Sequence, residues 1–257
     1  MRIDVNQPTK QWQIDMFKNM SKNPDTALDT VNKVFVVLCT PRSGSTFFCE
    51  SLYRTGQIGM VEEWFNYEYF VAWCKALKID DFDLETYVRW VIRKSVRGTG
   101  VFGVKWHIAQ VYAMAKDFKF DLSNMQITNL VYVRRRNKID QAVSFARAVK
   151  RNQFRSYEQV KGNDGIITMS DIASGLHLIA QHEDSRKALG FEDAPQYHYE
   201  DFTDEYYGSE IFDEVLKSLG KPGGSQATTR VKRQADCENL RLVEEFESYL
   251  RGDDWNV

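Results

Sequence analysis

The residues best suited to chemistry stand in three short clusters. The first, Cys39–Thr46, reads C-T-P-R-S-G-S-T. Small and hydroxyl side chains there leave backbone N–H groups free to cradle an anion at a helix N-terminus. It departs from the nucleotide-binding pattern G-x-x-x-x-G-K-[ST]: Gly44 and Thr46 fit, but Cys39 stands at the first Gly and Ser45 at the Lys. Arg42 is the cation inside the loop. A phosphatase loop would place an Arg six residues after its Cys, and that position is Ser45. The second cluster is Arg134-Arg135-Arg136, where an NTPase would end a strand on a metal-binding Asp. Arginines there suit a phosphate instead, since an Arg and a Ser hydroxyl together hold one through charge-assisted hydrogen bonds. Two separate anion sites imply a ligand with phosphates at two places. The third cluster, Glu62-Glu63, reads at this level equally as a base for a hydroxyl or as acids opening a helix, where they suit the macrodipole.

Strands and helices must alternate to position these clusters. Lys33–Cys39, Val101–Lys105, Ile127–Val133 and, more weakly, Gln196–Tyr199 are short apolar runs of strand character. Helical spacing marks Ser45–Thr55, Glu62–Lys78, Leu84–Val96, Ala109–Phe118, Arg136–Arg151, Ser170–Leu189 and Tyr206–Leu219, with a charged helix around Cys237–Leu250. Such alternation predicts an α/β fold, a central parallel sheet with helices on both faces, and the anion loop at the end of the first strand. Arg135 then falls at a strand's carboxyl end, beside the sheet's ligand crevice. On the helix that follows, Asp140, Ser144, Arg147 and Arg151 form a polar face, with Arg147 and Arg151 read equally as solvated or functional. Asn152–Asp164 reads as an active-site loop, and Gly220–Gln226 as a loop within one domain spanning 1–257.

Composition excludes several classes. The 257 residues carry 34 Lys+Arg against 36 Asp+Glu, a formal charge of -2, which speaks against coating nucleic acid. Beneath that balance, Arg134–Arg155 holds eight bases and one acid, and Glu192–Glu214 nine acids and no Lys or Arg. Cys39, Cys49, Cys74 and Cys237 form no C-x-x-C pair and no metal-ligand spacing with the four histidines, so reduced thiols and a cytoplasmic setting are expected. No signal-peptide or membrane-spanning apolar run is present in the sequence given.

T-P-R-S-G-S-T, followed by Cys49-Glu50-Ser51-Leu52 and Arg54-Thr55-Gly56, resembles the 5′-phosphosulfate loop of sulfotransferases. The variant resembles the bacterial trehalose 2-sulfotransferase-like (lipopolysaccharide sulfotransferase-like) family. Four further segments agree in order: Glu62-Glu63-Trp64-Phe65; Phe102-Gly103-Val104-Lys105 with Gln110; Arg135 with Gln141-Ala142-Val143-Ser144; and Arg233-Gln234-Ala235-Asp236. The resemblance spans Lys33 to about Phe246.

The resemblance implies a P-loop-like three-layer sulfotransferase fold and 3′-phosphoadenylyl sulfate (PAPS) as donor, leaving adenosine 3′,5′-bisphosphate. Ser43, Gly44, Ser45 and Thr46 would bind the 5′-phosphosulfate, and Arg42 would neutralise charge on the transferring sulfuryl group. Arg135 and Ser144 would hold the 3′-phosphate, with Arg233 closing over the nucleotide. Transfer would be in-line and metal-independent, catalysed by positioning and electrostatics. Glu63 matches the family's base, with Glu62 and His107 as rivals. Trp64, Phe65 and Trp106 read as either an acceptor-stacking wall or core, and Lys105 as either a donor contact or a strand end. The acceptor would be a hydroxyl of a carbohydrate or glycolipid, and a homodimer is compatible with the family although no segment declares an interface. Two departures stand out: Arg136 where Pro is frequent, leaving the phosphate site intact, and Ala146 where Trp is common, which predicts a reshaped pocket. Competing readings are a P-loop small-molecule kinase, disfavoured by the absent Walker Lys, and a non-catalytic nucleotide- or RNA-binding module using Arg134–Arg155.

Overall fold

Lys33–Cys39 forms the central strand, β1, as its β-branched and aromatic run favours. The computed structural model describes residues 3–117, 125–156, 158, 165–204, 207–224, 229 and 237–252. β1 lies between β3 (Val101–His107) and β4 (Asn129–Arg134); β2 (Val61–Glu62) and β5 (Gln196–His198) pair outside them. Every pairing is parallel, in the order β2-β3-β1-β4-β5. The chain leaves β1 toward partners on both sides, so the crevice at its carboxyl end is the topological switch point. Register brings Cys39 opposite His107 on one side and Val133 on the other.

Alternation along β1 divides the core. Val36 and Leu38 face a cluster with Trp64, Tyr69, Trp73 and Trp106. That layer is roofed by α1 (Gln11–Met20), α3 (Tyr67–Leu77), α4 (Leu84–Ser95) and α5 (Ile108–Asp117). Phe35, Val37 and Cys39 face Phe48 and Leu52 of α2 (Ser45–Arg54), Phe202 of α8 (Tyr199–Phe202) and Val215 of α9 (Tyr207–Ser218). A third cluster joins α6 (Lys138–Arg151), α7 (Met169–Ala188) and α10 (Cys237–Arg251). The expected three-layer α/β fold is what forms.

Several local expectations are corrected. The acids at 62 and 63 do not open a helix: Glu62 ends β2, Glu63 follows in a turn, and α3 starts at Tyr67 with Asn66 as its cap, Oδ1 accepting from the Glu68 N–H at 3.1 Å. Asn66 can take the cap because its short amide bonds the first free N–H groups better than the helix-like run before it predicts. Trp64 and Phe65 are no acceptor wall. Trp64 donates its indole N–H to Gly103 O at 2.8 Å and Phe65 stacks on Trp106 at 5.0 Å, all three rings buried. Large aromatic area beside a covered sheet face is worth more in the core than at a rim. Ala146 faces the α6–α7–α10 cluster, so its small size does not reshape the central cavity. Arg147 is buried and bonds Asn239 of α10, which rules out a solvated face there.

Candidate active site

The loop after β1 is shaped by two left-handed residues, Arg42 (φ 60°) and Gly44 (φ 85°), the latter capping α2. Phe48 N–H is bonded to Gly44 O at 3.0 Å, so the N–H groups of Ser45, Thr46 and Phe47 precede the first closed turn of α2 and have no partner within the helix. The backbone also needs glycine for space: a Cβ on Gly44 would lie 2.3 Å from Tyr199 Cδ2. Gln141 of α6 fastens the loop from below, donating to Thr40 Oγ1 (2.9 Å) and Pro41 O (2.6 Å).

A cavity of about 340 Å³ opens over this loop, lined by Arg42, Gly44, Ser45, Thr46, Glu63, His107, Arg135 and Ser144 among others. Arg42 reaches from the loop toward α6. Its Nε donates to Ser144 Oγ at 3.0 Å and its guanidinium reaches Phe154 O, tying the loop to α6. Burial and the neighbouring charge of Arg135 bring it down to about 10, so it remains a cation at neutral pH. Arg135 lies over the Tyr199 ring, 4.7 Å from its centroid, and pairs with Asp140. Arg136 turns away to Asp201, and Arg134 to Glu183 at 3.4 Å, so only the middle arginine of the three faces the cavity.

Glu63 is the hub of the opposite wall. Its Oε1 lies 2.9 Å from Lys105 Nζ and 3.5 Å from His107 Nε2. Its Oε2 accepts from Asn66 Nδ2 (3.0 Å) and Gln110 Nε2 (2.9 Å). Burial alone would raise this carboxyl, but the charges of Lys105 and His107 outweigh it and hold Glu63 well below the usual carboxylate range. Lys105 is raised, its burial more than offset by Glu63. Its ammonium also donates to Thr46 Oγ1 at 3.0 Å, bringing a second cation to the anion loop from β3. Burial opposes the charge on His107, while Cys39 and Glu63 favour it and push it to about 10. So raised, the imidazole favours its charged form beside Glu63.

Glu62 points elsewhere. It accepts both Nη groups of Arg155 (3.0 and 2.5 Å) and the Tyr69 hydroxyl (2.8 Å), and these partners outweigh its burial and keep it below the ordinary range. Arg155 lies on the Trp12 ring at 4.2 Å. Glu158 joins Lys10 and Trp12 Nε1, each at 3.0 Å, to the backbone N–H of Phe154 at 2.8 Å, clasping α1 to the segment after α6. Arg233 lies outside the described residues. Sequence reasoning missed Trp12, Arg155 and Tyr199. Arg155 was visible only as one member of the basic stretch, and Trp12 lies on a helix whose buried positions Gln13, Phe17 and Met20 follow helical spacing.

The fit of a phosphate- and sulfate-bearing nucleotide rests on orphaned donors. Ser43 Oγ and Arg135 Nε are buried without a hydrogen-bond partner, one in each proposed anion site. Arg42 and Arg135 lie near enough to repel. A parallel sheet carrying such donors at its switch point defines an α/β protein with an anion-suited crevice at the head of a helix. The chain belongs to the Stf0 sulphotransferase family, whose model matches residues 34–248, so it is an enzyme that transfers sulfate. Among curated proteins, none matches the chain. Among the described residues, no helix is long and apolar enough to cross a membrane, and no group of three or more His, Cys, Asp or Glu is placed to hold a metal ion.

Proposed function

We propose that the protein transfers a sulfuryl group from PAPS to a hydroxyl of a carbohydrate or glycolipid, with Glu63 as base. PAPS supplies the sulfuryl group and departs as adenosine 3′,5′-bisphosphate. The N–H groups at the head of α2, with Ser43, Ser45 and Thr46, would hold its 5′ end. Arg135, Ser144 and Arg42 would hold the 3′-phosphate, Arg42 serving both ends through its bond to Ser144. Lys105 takes over much of the role first given to Arg42, since its ammonium bridges Thr46 and Glu63 at the reacting end. Glu63 stays ionised throughout the neutral range and accepts the acceptor's hydroxyl proton. Preorganised charge in a partly dry cavity is the main source of rate in such a site.

The observation that carries this reading is one cavity that joins the head of α2, Arg42 and Arg135 to an ionised Glu63, with Arg135 Nε buried and without a hydrogen-bond partner. Calorimetry with adenosine 3′,5′-bisphosphate and with AMP tests it. The bisphosphate is expected to bind at least about tenfold more tightly, one charge-assisted bond's worth. Equal affinities would refute the donor assignment.

A further inference from the structure

Cys39 ends β1 fully buried, and the transfer described above makes no use of its thiol. Parallel register sets it opposite His107, the last residue of β3. Its Sγ donates to Trp106 O at 3.8 Å and lies 3.6 Å from His107 Nδ1. At the far side of the ring, His107 Nε2 lies 3.5 Å from Glu63 Oε1. Thiol, imidazole and carboxylate thus form a chain that ends on the group read as base.

Counting protons gives this chain its direction. A thiol has a single proton, and the Trp106 carbonyl, an acceptor only, takes it. The sulfur therefore turns lone pairs toward Nδ1, and the ionised Glu63 turns lone pairs toward Nε2. Both ring nitrogens meet acceptors, an arrangement that the imidazolium alone satisfies. Lys105, at the same carboxylate oxygen, opposes a second cation there, so the two acceptors must sustain it. His182 of α7 is lowered by burial and by the charge of His107, which favours its neutral form. The main chain of His107 is fixed separately, its N–H donating to Gln110 Oε1 at 3.3 Å.

We propose that Cys39 is a positioning residue: by accepting from Nδ1 it keeps His107 a donor at both nitrogens. The imidazole then orients Glu63 instead of competing with it for the acceptor's proton. This rests on the reading of Glu63 as base and adds what settles the choice between the two groups.

Nitrogen NMR of histidine-labelled protein reads the ring, with His107→Asn assigning its signals. Carbon NMR of glutamate-labelled protein reads the Glu63 carboxylate, with Glu63→Gln assigning it. In Cys39→Ala the His107 titration midpoint is expected to fall by about one unit or more, and the Glu63 signal to shift at the same pH. Cys39→Ser, which keeps a group that donates and accepts, should recover most of the midpoint. Cys49→Ala removes a buried thiol from the same core cluster and should leave it unchanged. A midpoint that is unmoved in Cys39→Ala, or moved as far by Cys49→Ala, would overturn the proposal. So would a Ser variant no different from Ala, or a Glu63 signal that ignores the ring. Full turnover in Glu63→Gln would instead overturn the base assignment, whatever the ring signals show.

Discussion

Replacing Glu63 by Gln separates chemistry from architecture. The carboxylate accepts from Lys105, Asn66 and Gln110 within 3.0 Å, and Lys105 is almost wholly buried. The new amide can still offer its oxygen to Lys105, which also keeps Thr46 Oγ1, so the ammonium loses a charge partner but not its hydrogen bonds. Removing one partner of a buried pair costs about 3–5 kcal/mol, and the retained bonds bring this to about 2–3 kcal/mol. For a chain of this size that is a fall in melting temperature of about 4–12 °C. A positioned general base contributes about 10²–10⁴ in rate, or about 3–5 kcal/mol of barrier. Glu63→Gln is therefore expected to lower kcat by about 10²–10⁴ while adenosine 3′,5′-bisphosphate binds within about threefold of wild type, since no donor contact is removed. Single-turnover transfer of labelled sulfate, beside calorimetry, reads both. A variant that keeps kcat within threefold of wild type would refute the assignment of Glu63 as base, and a proportional loss of bisphosphate binding would show that it serves the donor instead.

Arg42→Ala should weaken bisphosphate binding about tenfold or more and lower turnover with it, because it removes a half-buried cation and its bond to Ser144; unchanged affinity by calorimetry would remove Arg42 from the site. Gly44→Ala should destabilise the fold by about 2–5 kcal/mol, from left-handed strain and the clash with Tyr199, read as a lower melting temperature. Glu63, held below its unfolded value, contributes stability that is fully present above about pH 4–5 and is lost as pH falls through its depressed folded value. Lys105, raised above its unfolded value, contributes stability present below about pH 10 and lost as pH rises through its folded value. Melting temperature against pH should fall at both ends, and the Glu63→Gln variant should lose the acid limb's share.

The elements that touch the sheet were readable from sequence because they obey one rule each. β1, β3 and β4 are short apolar runs, and α6 a clean helical stripe, so period and length settle them. The anion loop was readable because backbone chemistry at a helix N-terminus needs particular small residues. Glu63 was harder: its neighbours Trp64 and Phe65 continue a helical pattern that the cap at Asn66 interrupts. Lys105 and His107 were ambiguous because alternation along β3 does not say which face holds a partner; only the parallel register to β1 sets them beside Thr46 and Cys39. α1 and Arg155 were missed for a different reason. Their roles arise from contacts across more than 80 residues of sequence, through Glu158, Glu62 and Trp12, which no local window contains.

Arg135 meets the cavity already engaged at one Nη by a carboxylate, Asp140 in the first turn of α6. A phosphate arriving there would displace an internal stand-in rather than fill a vacant post, so the site exchanges one anion for another. On the proposed function, exchange would weaken holding at both ends of the cycle: the nucleotide would be gripped less tightly, and the spent bisphosphate would find Asp140 ready to take its place. In enzymes where release of product limits turnover, such a resident competitor acts as an ejector.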